Sequence, residues 1–298
     1  SIIEHLNSSL SEDGYILMVR KNQKLDKPVH IINLCLSESN GSTWTQSPRN
    51  VVVLESGAEA ELLESFIGSD QETVAYFTNA VTKINIHDNA KLSYCKLVDE
   101  SPTASHFGLT EVNVGRDGFF EGAGVSLGGD LIRNDVLVHV NGSGSEVHVN
   151  GLYITKGKQH VDNHTEIIHH VPHSTSRQLY KGILSDSSRA VFNGKITIDK
   201  DAQKTDSSQL NQNLLLSNKA EIDSKPELEV SADDVKANHG SASGPLDKSE
   251  LFYFQSRAIS EKEATRMISK GFALDVIYKH RAKASRNYII QRLQKETW

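Results

Sequence analysis

Cysteine is scarce in this sequence: two residues among 298, Cys35 and Cys95, lie far apart in the chain. Two cysteines cannot build the disulfide framework of a small secreted domain. No CxxC or similar close pair is present, so the sequence contains no thiolate metal site. The scarcity favours a reducing compartment, and we expect a cytoplasmic protein.

Clustered positive charge is also missing, because the net charge is −6 and no basic block precedes the C-terminal tail. Binding to nucleic acid requires Lys and Arg that displace counterions from phosphates, so we expect no nucleic acid partner. No apolar run reaches the roughly 18 residues of a membrane span, and no charged-then-apolar leader is visible. The chain begins at Ser1 rather than Met, so we expect some N-terminal sequence to be missing.

Aromatic residues make up 6% of the chain and apolar residues 37%, which is low for a domain with a thick core. From 51 to 238, short apolar or alternating runs such as KINIHDNA, SEVHVNGLYI and AVFNGKITI are separated by Gly, Asn, Asp or Ser. Strands this short and this frequent indicate an all-β fold: a sandwich, a barrel or a coil of stacked rungs. Small residues recur where a coil would have corners, in GRDG, EGAG, LGGD and NGSGS. We therefore predict a parallel β-helix over 51–238, although no strict repeat period can be read.

The two ends of the chain have residue patterns different from that of 51–238. Residues 1–50 mix polar loops with short apolar runs and lead into the β body. In the C-terminal part, Asp247 with Glu250 and Ser260 with Glu263 have the spacing of capping boxes at two helix starts.

An apolar stripe at helical spacing follows the second capping box, in EKEATRMISKGFALDVI. Together these features predict two helices joined near 256–259, and a further helix is expected in the basic tail. We interpret 239–298 as a small helical domain. Such a domain buries little surface alone, so its apolar face is a candidate for docking a partner.

No motif for nucleotide binding or hydrolysis is present: the glycine runs lack the GxxxxGK[ST] pattern, and there is no GxSxG or HExxH. Histidine is clustered instead, since seven of the thirteen histidines fall in one stretch: His139, His148, His160, His164, His169, His170 and His173. On a strand through HTEIIHH, alternation places His164 and His170 on one face and His169 on the other. This split favours ordinary rung positions, and a metal or partner role is the alternative.

His239 stands apart, in DDVKANHGSASGPL, where the β pattern gives way to small residues and then to helix. One interpretation is a strand cap or a turn, since Gly240 allows the backbone to turn tightly. The other is a metal ligand, because neutral imidazole suits iron or copper without adding charge.

Residues 210–277, LNQNLLLSNKAEIDSKPELEVSADDVKANHGSASGPLDKSELFYFQSRAISEKEATRMISKGFALDVI, closely resemble the C-terminal core of the SufB/SufD family of the SUF iron–sulfur cluster assembly system. Residues 177–207 extend the resemblance upstream. VKANHGSASGPLD has the SufD form of this segment, whereas SufB members carry an acidic EHEA version and a cysteine in the following helix. Ala237 stands where many SufD relatives have a cysteine.

The resemblance implies a right-handed parallel β-helix flanked by helical regions, although the N-terminal helical region common in the family is not visible here. It implies a scaffold that is not an enzyme and binds no cofactor stably, with a transient iron–sulfur cluster in the assembled complex. A SufB-like paralogue would pair through the β-helix, with His239 as a ligand of the nascent cluster, and isolated chains could form homodimers. A SufC-like ATPase would dock on the C-terminal helices, for which the candidate residues are Leu251, Phe252, Arg257, Glu263, Met267, Ile268 and Phe272.

Two other functions are compatible with a β-helix. A carbohydrate-active enzyme would need converging carboxylates, for which Asp130, Asp135 and Glu166 are candidates without evident clustering. A purely structural homodimeric β-helix protein is the second alternative.

Overall fold

The computed structural model describes residues 2–35, 44–68 and 75–296. Within these ranges it contains 17 strands and four helices. In chain order they are α1 (Ile2–Leu10), β1 (Ile16–Val19), β2 (Val29–Cys35), β3 (Trp44–Gln46), β4 (Arg49–Leu54), β5 (Glu59–Gly68), β6 (Tyr76–Ile86), β7 (Lys91–Asp99), β8 (Ser105–Val114), β9 (Phe119–Ser126), β10 (Leu131–Val140), β11 (Glu146–Thr155), β12 (His160–His169), β13 (Thr175–Leu184), β14 (Arg189–Ile198), β15 (Asp206–Leu215), β16 (Glu221–Val230), β17 (Lys236–Pro245), α2 (Lys248–Gln255), α3 (Glu261–Lys279) and α4 (Lys283–Leu293).

The strands form two parallel sheets that the chain visits alternately. One sheet has the order β1-β4-β6-β8-β10-β12-β14-β16, with β3 also paired to β6, and the other has the order β17-β15-β13-β11-β9-β7-β5-β2. From β4 onwards each strand pairs with the strand two further along the chain, whereas β1, β2 and β3 pair with β4, β5 and β6. One turn of the solenoid consists of two strands with their connections, so equivalent residues of successive turns are separated in sequence by the length of one turn. Asn134 and Asn163, for example, are 29 positions apart. The predicted parallel β-helix is confirmed.

Side chains inside the helix form ladders from turn to turn. In β12, residues alternate strictly between partly exposed and buried, so Ile167 faces inward and Ile168 outward. The interior is apolar over much of its length but also carries amides, because stacked amides satisfy each other: Gln209 Nε2 donates to Gln178 Oε1 at 2.5 Å. An interior built in this way needs few aromatic residues.

Most of the predicted corners are turns, with one exception. GRDG, LGGD and NGSGS lie between strands, and Asp117 in GRDG has a φ of 53°. EGAG, however, lies inside β9. Its Gly122 faces the ring of Phe120, and an added Cβ would stand 2.9 Å from Cζ. The glycine therefore makes room for a buried aromatic ring, and the prediction of a corner there was wrong.

Helix α1, within the N-terminal segment, was not predicted from the sequence. Its one buried residue is Asn7, whose Nδ2 donates to the carbonyl oxygens of Pro48 at 3.1 Å and Asn79 at 2.8 Å. The helix therefore holds to the solenoid through polar contacts, while its apolar residues at helical spacing, Ile2, Leu6 and Leu10, are exposed.

The three C-terminal helices confirm the predicted helical pair and the tail helix. The Ser260 hydroxyl caps α3 by accepting the N–H of Glu263 at 3.2 Å. Within the described ranges no helix is long and apolar enough to cross a membrane.

Helices α3 and α4 share one core with the outer face of the eight-stranded sheet. Apolar residues of both elements form this cluster, among them Leu63, Leu97, Leu152, Ile183, Ala273, Val276, Ile277, Ile289 and Leu293. Polar interactions at the edge of this cluster also hold α4 to the sheet. Arg292 forms a bidentate ion pair with Asp99, and the Glu61 carboxylate accepts a hydrogen bond from the backbone N–H of Ser285 at 2.7 Å. The outer face is thus covered where these helices lie, which is why β5 and β7 contain runs of consecutive buried residues.

The connection between α3 and α4 is held to the sheet by one buried carboxylate. Glu121 Oε2 accepts the backbone N–H of Arg281 at 2.8 Å and lies 3.1 Å from His280 Nδ1. Burial disfavours the charged form of Glu121, but the interactions with His280 and Arg281 outweigh it, and the pKa of Glu121 is lowered.

Candidate functional site at the open end of the solenoid

The last strand, β17, defines one end of the molecule. It pairs with β15 alone among the described strands, so its other edge is free, and the same holds for β16 at the end of the second sheet. The strand reaches Pro245, seven positions past the boundary expected at 238. The small residues after His239 read as a loop, but β15 provides a complete register of backbone partners for them.

His239 is the fourth residue of β17 and pairs in register with Gln209. Register partners in a parallel sheet share a face, so His239 continues the interior ladder formed by Gln178 and Gln209. Gln209 is buried, whereas His239 is exposed because no further turn covers it. Its imidazole makes no hydrogen bond to any described residue, and both ring nitrogens are available for a ligand.

Thiols cannot complete a metal site around His239 within this chain. Ala237 packs against the small apolar cluster of Ile196, Ile198 and Ala232. Both cysteines are buried elsewhere, and burial raises the pKa of the Cys95 thiol to about 12 and that of the Cys35 thiol further. Across the described residues no three His, Cys, Asp or Glu side chains come together as a metal site. Within the described part of the chain, therefore, no group of side chains completes a metal site at His239.

The second candidate surface, which we name the α2–α3 face, consists of α2 and the solvent side of α3. Phe252 is 70% exposed, Tyr253 55% and Met267 44%, and α2 has no buried residue. A cavity of about 350 Å³ lies between the helices, lined by Tyr253, Phe254 and Ile268 among others. Exposed aromatic and Met side chains beside a cavity are typical of protein interfaces. Sequence reasoning missed Tyr253, although its position beside Phe252 could have marked it.

The remaining predicted docking residues differ in what they contact. Leu251 is half-buried on α2. Arg257 stacks on Tyr253, with the guanidinium carbon 3.6 Å from the ring centre. Glu263 forms a bidentate ion pair with Arg266.

Phe272 is partly buried against the solenoid, with Lys181 Nζ 4.3 Å from its ring centre. Its side chain is therefore occupied in attaching α3 to the sheet, and it lies outside the α2–α3 face.

The histidines of HTEIIHH are divided between the two faces of the nine-stranded sheet, as the alternation predicted. His164 is partly exposed beside Asp162, at 2.9 Å. His169 is buried, with Nδ1 2.7 Å from Ser174 Oγ and Nε2 2.9 Å from Ser176 Oγ, and burial lowers its pKa to about 4.

Two of the three carboxylates considered for sugar chemistry line one shallow groove on the nine-stranded sheet, Asp135 and Glu166. Arg133 Nε lies 2.6 Å from Asp135, and Lys195 Nζ lies 3.7 Å from Glu166. Both carboxylates are therefore neutralised by ion pairs, and Asp130 is not among the residues that line the groove.

A parallel β-solenoid with an exposed histidine on its last strand and helices on one face is the architecture that the resemblance implied. The family model described as "SUF system FeS cluster assembly, SufBD core domain" matches residues 36–272. The chain belongs to this family.

Within the family the chain is most like SufD, as predicted. It is 33% identical over 289 residues to the iron-sulfur cluster assembly protein SufD of Escherichia coli, which covers 97% of this chain and 68% of the relative. It is 34% identical over 280 residues to the chloroplastic protein ABCI7 of Arabidopsis thaliana (92% and 58%), and 29% identical over 274 residues to SufD of Bacillus subtilis (91% and 61%). The chain thus spans about three fifths to two thirds of the length of these relatives.

Proposed function

We propose that this protein is a scaffold subunit of a cytoplasmic iron–sulfur cluster assembly complex and has no ATPase activity of its own. One observation carries the proposal: the last strand has a free edge and bears an exposed imidazole without a partner. Family membership supports the assembly role, and the absence of a phosphate-binding motif in the sequence supports placing ATP hydrolysis in another subunit.

A SufB-like paralogue is the proposed partner at the open end. A free edge strand offers a row of backbone N–H and C=O groups to another strand. Pro226 interrupts the N–H groups of β16, whereas the interior of β17 has no proline, so β17 is the better edge for pairing. The same edge is available to a second copy of the chain, and we expect a homodimer when the partner is absent.

The nascent cluster is cargo in this proposal, held jointly by His239 and ligands of the partner. A neutral imidazole in place of one thiolate raises the reduction potential of a cluster. The mixed ligand set also suits a site that must release its product. ATP turnover in a SufC-like subunit would rearrange the pair and open this site to iron and sulfide.

The test is anaerobic reconstitution of the three-subunit complex with wild-type chain, His239→Ala and Asn238→Ala. Asn238 is exposed on the same strand and points to the opposite face, so it is the matched control. We expect His239→Ala to assemble normally, by gel filtration, and to lose the absorbance and Mössbauer signals of the cluster, while Asn238→Ala retains them. Full cluster formation by an assembled His239→Ala complex would refute the role of the imidazole.

The SufC-like ATPase is proposed to dock on the α2–α3 face. Central exposed aromatics at interfaces often contribute about 2 kcal/mol or more, so Phe252→Ala should weaken ATPase binding by roughly thirtyfold in a calorimetric titration. Ile16→Ala removes a similarly exposed apolar residue at the other end of the solenoid and serves as control. Equal affinity of both variants for the ATPase would rule out the α2–α3 face as its docking site.

A further inference from the structure

Two histidines of the sequence cluster come together on the outer face of the nine-stranded sheet, away from His239. His139 lies on β10 and His170 directly follows β12, the neighbouring strand. His139 Nδ1 is 3.1 Å from His170 Nε2, and the two rings are nearly parallel with centroids 5.4 Å apart. The side chain of His170 is 35% exposed, so solvent reaches the pair.

A carboxylate fixes the orientation of this pair. Asp199 follows the next strand, β14, and its Oδ2 lies 2.7 Å from His170 Nδ1. A carboxylate accepts, so in the neutral form of His170 Nδ1 carries the proton and Nε2 presents its lone pair towards His139. Metal-binding histidines commonly have this arrangement, in which the second ring nitrogen donates to a carboxylate that sets the tautomer and makes the ligand more basic.

We propose that His139 and His170 form an accessory chelate for a divalent late transition metal, with Asp199 as the orienting residue. Two imidazole nitrogens bound to one tetrahedral ion at about 2.05 Å stand roughly 3.3 Å apart, close to the separation in the structure. In the metal-free protein a proton of His139 Nδ1 bridges the two nitrogens. The metal takes its place after His139 shifts to the Nε2–H tautomer and both rings rotate so that their lone pairs converge on the ion.

The pair supplies two ligands, so water or a second molecule completes the coordination. Imidazole ligands favour Cu²⁺, Ni²⁺ and Zn²⁺ over Mg²⁺ and Ca²⁺, and among the first three Cu²⁺ binds most tightly. Neighbouring side chains on this face do not oppose a cation, since Asn113 and Asn141 are neutral amides hydrogen-bonded to each other at 3.1 Å. The site is independent of the proposed cluster ligand, because His239 belongs to the other sheet.

The test is calorimetric titration of tag-free, chelator-stripped protein with Ni²⁺, together with electron paramagnetic resonance of the Cu²⁺ complex. All variants are made in a His239→Ala background, so that the outcome does not depend on the proposed function. We expect one site per chain and hyperfine coupling to two imidazole nitrogens. His139→Gln and His170→Gln should remove this site, and Asp199→Asn should weaken binding by about 10- to 100-fold.

His164→Gln is the matched control, because His164 has similar exposure (32%) and a carboxylate neighbour but no second imidazole bonded to it. Circular dichroism establishes that every variant is folded. Unchanged affinity in His139→Gln and His170→Gln would overturn the proposal. So would an equal loss in His164→Gln, or a Cu²⁺ spectrum showing a single nitrogen.

Discussion

Helix α4 offers a quantitative test of whether the C-terminal helices unfold together with the solenoid. Ile289 is 1% exposed and belongs to the cluster that joins α3 and α4 to the outer face of β5, β7 and their neighbours. Truncating Ile289 to Val removes one buried methylene, and truncating it to Ala removes three carbon atoms and leaves a cavity. The free energy of unfolding should fall by about 1 kcal/mol for Ile289→Val and about 3–4 kcal/mol for Ile289→Ala.

The assay is urea unfolding followed by two probes. Circular dichroism at the helical band reports on the helices. Fluorescence reports on the solenoid in a Trp298→Phe background, where the remaining tryptophan, Trp44, stacks on Tyr76 with centroids 4.7 Å apart. If helices and solenoid form one cooperative unit, both transitions coincide and move by the same amount.

Asn287→Ala, an exposed change on the same helix, should leave both transitions in place. The reasoning fails if Ile289→Ala shifts the helical transition while the fluorescence transition stays where it is in the wild type. That result would make the helices a separate unit attached to the β-helix.

Three further predictions concern stability. Because the pKa of Glu121 is lowered in the folded protein, the contribution of its carboxylate to the free energy of unfolding is complete above the unfolded pKa near 4.5 and is lost as the pH falls through the folded pKa. Glu121→Gln should therefore make the free energy of unfolding depend less on pH in the acid range. An unchanged pH dependence in this variant would contradict the role of Glu121. Gly151→Ala would place a Cβ 2.2 Å from the ring of the buried Tyr180, so the free energy of unfolding, measured by thermal denaturation, should fall by about 1–3 kcal/mol. A variant more stable than the wild type would show that the ring can move aside. Ser260→Ala removes the cap on the Glu263 N–H and should cost about 1 kcal/mol in urea unfolding, with Lys262→Ala, an exposed change in the first turn of α3, as control.

The sequence was sufficient to predict the β-helix, the helical pair and the division of the histidines between faces, because each depends on local periodicity. The sequence did not reveal the length of the structural repeat. Each turn of the solenoid comprises two strands, and the same interior position is an aliphatic residue in one turn and an amide in another, so no regular sequence period results. Helix α1 was missed although Ile2, Leu6 and Leu10 have helical spacing, and its one buried contact, through Asn7, is polar.

The environment of His239 could not be read from local pattern either. Gly and Ser in the segment after it favour a turn, yet pairing with β15 holds the whole segment in a strand. The three-dimensional stacking therefore overrides the local preference. Likewise, the spacing of Phe272 on α3 does not reveal that Lys181 and the sheet already occupy one side of its ring.

The open end of the solenoid has a consequence for the fate of an unassembled chain. Every inner turn is held by a neighbour on both sides, whereas β16 and β17 are held on one side and are largely exposed. The free energy of local opening is therefore lower there than in the inner turns, and amide hydrogen exchange should be faster in this last turn than in those turns. Partner binding would close this turn and slow its exchange. In the proposed complex this end would be covered, so an orphan subunit would present a fraying end to cellular proteases and the edge proposed for pairing would also tie the lifetime of the chain to assembly.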